Sequence, residues 1–156
     1  MFKGLMRGAA AGAAGTTALN AVTYLDMAWR GRPASSTPQQ AVEELARRAD
    51  RPIPGQGSER DNRLEALGAL AGVVTGIGIG AVAGGARAVV LRLGPVAGPV
   101  LLGAAAMAAT DASLTGLELT NPREWDVTAW LSDAAPHLAF GLVAYGVLRA
   151  TSPRGR

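Results

Sequence analysis

The stretch LGALAGVVTGIGIGAVAGG, residues 67–85, places glycine at positions 68, 72, 76, 80 and 84 inside an uninterrupted apolar run. Two structures use closely spaced glycines, and they lead to different classes of protein. A phosphate-cradling loop needs a strand, a glycine turn and then a helix. Here no strand pattern precedes the glycines, GIGIGAVAG reads G-x-G-x-x-x-G with one residue too many, and no Walker lysine follows. A helix accounts for all five positions. Residues four apart share one side, so Gly68, Gly72, Gly76, Gly80 and Gly84 form a groove without side chains. Another helix can sink into such a groove until backbones touch, adding dispersion contacts and weak Cα–H···O bonds. Gly4, Gly8 and Gly12, continued by Thr16 and Asn20, repeat the spacing and offer a matching surface with two cross-helix hydrogen-bonding groups. Two partners remain open for the groove: this first segment of the same chain, or a second copy in a homo-oligomer, including one that lines a pore.

Composition separates a soluble helix from a membrane one. Apolar residues make up 49% of the 156 and charged residues 17%, the latter below the roughly 25% usual for soluble domains. Aromatics are only 4% while glycine numbers 21, and a soluble core of alanine and glycine buries little area per residue. A membrane bundle has less need of bulk, because lipid solvates apolar surface and small residues let helices approach. Four apolar segments, about 8–28, 65–86, 93–114 and 129–149, each approach the roughly 20 residues that cross a bilayer. The expected fold is all-α: a single integral membrane domain over 1–156, a bundle of four transmembrane helices with the lipid bilayer as its partner. The first segment follows Lys3 and Arg7 as a signal peptide would, but ALNAV is a poor cleavage site, so a retained helix is expected. Its alanine and glycine content makes it dependent on helical neighbours.

The polar region 30–63 carries one short amphipathic helix in STPQQAVEELARRAD. Thr37 reads as N-cap, Pro38 as first helical residue and Gln40 as the far end of a capping box. Glu43 with Arg47 and Glu44 with Arg48 are i,i+4 pairs, and Val42, Leu45 and Ala49 share a face. RPIPGQG ends the helix. Trp29, Trp125 and Trp130 fit an interfacial belt, with Tyr24 beside the first of them. With four crossings, Lys3, Arg7, Arg87, Arg92, Arg149, Arg154 and Arg156 share the side of both termini, against eight arginines on the other side. Short tails and turns are the stronger voters, which puts both termini in the cytoplasm of a bacterial inner membrane. The 14 arginines among 15 basic residues are dispersed among loops and tails, a membrane-flanking pattern and not a nucleic-acid surface.

Ionisable groups inside a membrane are costly and mark candidate sites. Asp111 lies about one turn inside the third segment, and Asp133, His137, Gly141 and Tyr145 fall at four-residue spacing in the fourth. Antiparallel helices joined by a short loop would set Asp111 and His137 at comparable depth, where a carboxylate beside an imidazole can relay a proton or bind a cation. Asp111, His137, Asp133 and Tyr145 are therefore the candidate proton or cation site. The alternative is structural: Ser132 and Asp133 capping the last helix, Pro136 in its first turn, and His137 bonded to a neighbour. One histidine with scattered carboxylates is too few ligands for zinc. The chain has no cysteine, which removes disulfides and thiolate metal sites. No nucleophile elbow, paired-carboxylate motif or cofactor fingerprint appears, so no catalytic residue, cofactor or metal is expected.

STPQQAVEELARRADRPIPGQGSERDNRLEALGALAG and WLSDAAPHLAFGLVAYG together resemble a group of small, uncharacterised multi-pass membrane proteins of high-GC bacteria. The SDxxPHLxFG segment is distantly similar to the SExxGHL segment of the YagU-type inner-membrane family, associated with acid tolerance, with Pro136 in place of that family's glycine. The resemblance implies a membrane bundle and assigns no activity. The expected function is a non-enzymatic structural or accessory membrane protein acting through glycine-mediated packing, as a homo-oligomer or in a larger membrane complex. The alternative is a small channel or proton-linked transporter using Asp111 and His137.

Overall fold

The computed structural model describes residues 1–152, all helix and turn with no strand among them. The helices are α1 Phe2–Arg30, α2 Thr37–Arg48, α3 Gly57–Gly85, α4 Arg87–Val90, α5 Gly94–Gly116 and α6 Val127–Thr151, with 3-10 turns at Leu91–Leu93 and Pro122–Glu124. Arg154 and Arg156, counted above on the side of the termini, lie outside the described residues. The long helices run about seven residues beyond the apolar segments where those begin, at Phe2 and Gly57, through stretches whose Lys3 and Arg7 in one and Glu59, Arg60 and Arg63 in the other are good helix formers.

Three helices are long and apolar enough to cross a membrane: Gly57–Gly85, Arg87–Gly116 and Val127–Thr151. By this measure the count is three, and α1, the first of the four expected spans, falls short of it. α1 has the length, at 29 residues or about 44 Å at 1.5 Å per residue, but not the apolarity. Its body is Ala, Gly and Thr interrupted by Asn20 and Asp26, and small or hydroxylated side chains contribute little transfer energy each.

α1 packs against both α3 and α6, and α5 packs against α6. Glycine positions set the α1/α3 contact. A Cβ built on Gly8 would lie 2.7 Å from the Gly84 Cα, one on Gly12 would lie 3.0 Å from the Gly80 Cα, and one on Gly4 would lie 2.8 Å from the Gly84 carbonyl oxygen. The order of contacts (4 with 84, 8 with 80 and 84, 12 with 76 and 80) makes the two helices antiparallel. Thr16 covers Gly76, but its hydroxyl donates to the Gly12 carbonyl of its own helix at 2.9 Å, so it forms no cross-helix bond. Two members of the five-glycine stripe lie outside this contact. Gly68 faces the backbone of Pro38 and Gln39 in α2, and Gly72 has nothing within 4 Å. Every fourth residue advances about 40° around a helix of 3.6 residues per turn, so a stripe of five winds across more than one neighbour.

Phe140, 1% exposed, fills the junction of α1, α3 and α6, its ring 2.8 Å from where a Gly15 Cβ would sit and 3.5 Å from a Gly76 Cβ. Ala11, Ala83, Leu102, Ala106, Ala144, Tyr145 and Leu148 belong to the same core. α2 buries no residue. Its N-cap is Ser36, one residue before Thr37, with Gln40 Nε2 donating to the Ser36 hydroxyl at 3.3 Å. Glu44 takes both Arg47 and Arg48, each at 2.6 Å, while Glu43 reaches Arg60 of α3. α6 starts earlier than a Ser132/Asp133 cap would require: Asp126 Oδ1 accepts the Ala129 N–H at 2.7 Å. Ser132 and Asp133 therefore sit inside the helix, with side chains not committed to its end.

Candidate functional site

The polar residues of α5 and α6 meet because glycines let these two helices close together. Tyr145 lies over Gly98, its Cδ2 2.8 Å from where a Cβ would sit. A Cβ on Gly103 would fall 2.6 Å from the His137 carbonyl oxygen, and one on Gly141 would fall 2.6 Å from the Gly103 nitrogen. Pro99, buried inside α5, packs its carbonyl against Gly141 in the same seam. The contacts run in opposite order along the two chains, so the helices are antiparallel.

Two turns beyond Gly103, this seam brings Thr110 to His137. His137 is 8% exposed. Its Nδ1 lies 2.9 Å from the Asp133 carbonyl oxygen and 3.3 Å from Asp133 Oδ1. A carbonyl can only accept, so Nδ1 carries a proton and donates. Its Nε2 lies 3.3 Å from the Thr110 hydroxyl, which itself donates to the Met107 carbonyl at 2.8 Å. With that hydroxyl proton committed, Thr110 oxygen offers a lone pair, and a second N–H on the ring would be satisfied. Both ring nitrogens therefore face an acceptor to which an N–H can donate. Asp111 lies within electrostatic reach of both Asp133 and His137. Asp133 Oδ2 is buried with no hydrogen-bond partner among the described residues.

Of the four expected site residues, Asp111, Asp133 and His137 come together and Tyr145 does not. Tyr145 stands two turns further along α6, about 12 Å by helical rise, where its ring serves packing over Gly98. Thr110 is the member that sequence reading passed over, although it adjoins Asp111. Gly98 and Gly103, five residues apart, follow no four-residue register, so the sequence does not mark them as the surface that Gly141 packs on. Among the described residues no group of three His, Asp or Glu side chains is placed to hold a metal ion. Two carboxyls and one imidazole clustered in this way have the chemistry to exchange a proton.

The tryptophans gather at the end of the bundle nearest this cluster. Trp125 and Trp130 meet edge to face at 5.1 Å, and Trp125 Nε1 donates to the Thr120 hydroxyl at 3.0 Å. Trp29, 91% exposed, stands at the C-terminal end of α1, beside the start of antiparallel α6. Compared with protein-family models, with curated proteins and with solved structures, the chain matches none.

Proposed function

We propose that this small integral membrane protein has a structural or accessory role and no enzymatic activity, and that α1 crosses the bilayer as a fourth helix sheltered by α3 and α6. The observation that carries this reading is the backbone-to-backbone approach of α1 and α3 at Gly8, Gly12, Gly80 and Gly84. Close approach supplies dispersion contacts that offset the weak apolarity of α1, since association inside lipid depends on packing more than on transfer. The groove is occupied within the chain, so a homo-oligomer or larger membrane complex would assemble through the outward faces of α3 and α5. The reading includes a bacterial inner membrane with both termini cytoplasmic, and kinship with the small membrane proteins that the two sequence stretches resemble.

A second reading is favoured by one observation, the meeting of Asp111, Asp133, His137 and Thr110 between two apolar helices. In it the chain is a small proton-linked channel or transporter. Purified protein in liposomes separates the two. The accessory role predicts no proton or small-cation flux, and crosslinking in the native membrane that captures one stoichiometric partner. Flux that His137→Ala and Asp111→Asn abolish would overturn it.

A further inference from the structure

A cleft of about 320 Å³ opens between the C-terminal end of α1 and the first turns of α6, lined by Val22, Asp26, Arg30, Thr128, Leu131 and Ser132 and floored by Pro136. Its walls differ in chemistry. Val22, Leu131 and Pro136 are apolar, whereas Arg30, Thr128 and Ser132 are polar. Asp26 takes Arg30 Nε at 3.1 Å and Arg32 Nε at 2.6 Å. Two guanidinium groups against one carboxylate leave a positive charge. Both are held through Nε, which orients them while leaving the terminal nitrogens of Arg30 without a hydrogen bond among the described residues.

The hydroxyls point the same way. Thr16, Thr17, Thr23 and Ser113 all donate back to a carbonyl four residues earlier, and Thr110 to one three residues earlier. Thr128 and Ser132, four apart on one face of α6, make no hydrogen bond among the described residues although they line the cleft. The cleft lies at the tryptophan end, the depth of lipid headgroups. An arginine with free terminal nitrogens and two adjacent hydroxyls suits a phosphate, which accepts charge-assisted hydrogen bonds. The apolar wall suits the start of an acyl chain.

We propose that this cleft binds one phospholipid, its phosphate held by Arg30, Thr128 and Ser132 and its glycerol and first methylenes against Val22, Leu131 and Pro136. Native mass spectrometry of the full chain in mild detergent tests this by titration with phosphatidylglycerol, with diacylglycerol and with sn-glycerol 3-phosphate. The expected result is one phosphatidylglycerol per chain, bound about tenfold more weakly after Arg30→Gln, as loss of a charge-assisted contact implies. Leu131→Trp, which fills the cleft and leaves Arg30 in place, is expected to lose the lipid too, whereas Arg92→Gln at the other end retains it. Unchanged lipid binding in both Arg30→Gln and Leu131→Trp would overturn the proposal. So would diacylglycerol binding as tightly as the phospholipid. Glycerol 3-phosphate binding as tightly would replace the lipid with a soluble phosphate ester.

Discussion

Replacing Gly80 with alanine is the sharpest perturbation of the α1/α3 contact. The added Cβ would lie 2.5 Å from the Gly12 nitrogen, where ordinary contact begins near 3.4 Å, and every close neighbour is backbone. No side chain can swing aside, so the helices must part by on the order of 1 Å, a gap that forfeits a quarter to a half of each contact's dispersion energy. Overpacking of this kind costs about 1–3 kcal/mol. Alanine in place of glycine returns about 1 kcal/mol of helix propensity, so a net loss near 1 kcal/mol is expected for Gly80→Ala. Gly72 is the internal control, because nothing lies within 4 Å of its added Cβ. Gly72→Ala should keep the propensity gain, about 1 kcal/mol. The two variants should therefore differ by about 2 kcal/mol, or about 4–8 °C in Tm for a chain of this size. Thermal unfolding of detergent-solubilised protein followed by circular dichroism measures it. Gly80→Ala melting at or above Gly72→Ala would refute the close-packing argument.

Phe140→Ala should be more damaging, by about 3–5 kcal/mol, since the ring sits 1% exposed where α1, α3 and α6 meet; the same melting experiment checks it, and a loss below that of Gly80→Ala would place the ring outside the core. Glu44 lies outside the apolar spans, and hydrogen bonds from Arg47 and then Arg48 lower its pKa from 4.5 to about 2. A depressed carboxylate contributes stability in full above its unfolded pKa and loses it as pH falls through the folded one. The Glu44 contribution to α2 should accordingly persist down to pH 4.5 and fade toward pH 2. Carboxyl chemical shifts across that range should show the low midpoint in the native chain and a return toward the ordinary value in an Arg47→Ala/Arg48→Ala variant.

The helical character of the chain, the short α2 and the depth match of Asp111 with His137 were all legible, because apolar runs, turn residues and helical spacing are local signals. The errors share a physical origin in neighbours that spacing alone does not specify. A four-residue glycine register shows that a helix face is bare. It does not show that Gly68 meets α2 or that Gly72 meets nothing. Ser132 and Asp133 looked like a cap because both are good cap residues, yet Asp126 stands at the polar edge of the helix and reaches Ala129 first. Tyr145 shares a face with His137, but two turns of rise separate them. α1 has the length of a span without the apolarity, and its packing against α3 and α6 is something its own sequence does not specify.

That α1 crosses the membrane, packed against α3 and α6, is the claim on which the account depends most, and the absence of native cysteine allows a direct test. Lys3→Cys and Ala34→Cys place single thiols at exposed sites just inside the start and just past the end of α1. Labelling with a membrane-impermeant maleimide, before and after permeabilising the cells, reports the side on which each lies. The account predicts opposite sides, with Lys3→Cys protected until the membrane is opened and Ala34→Cys labelled at once. Both thiols reacting from the same side would show that α1 does not cross, and would contradict the four-helix membrane bundle.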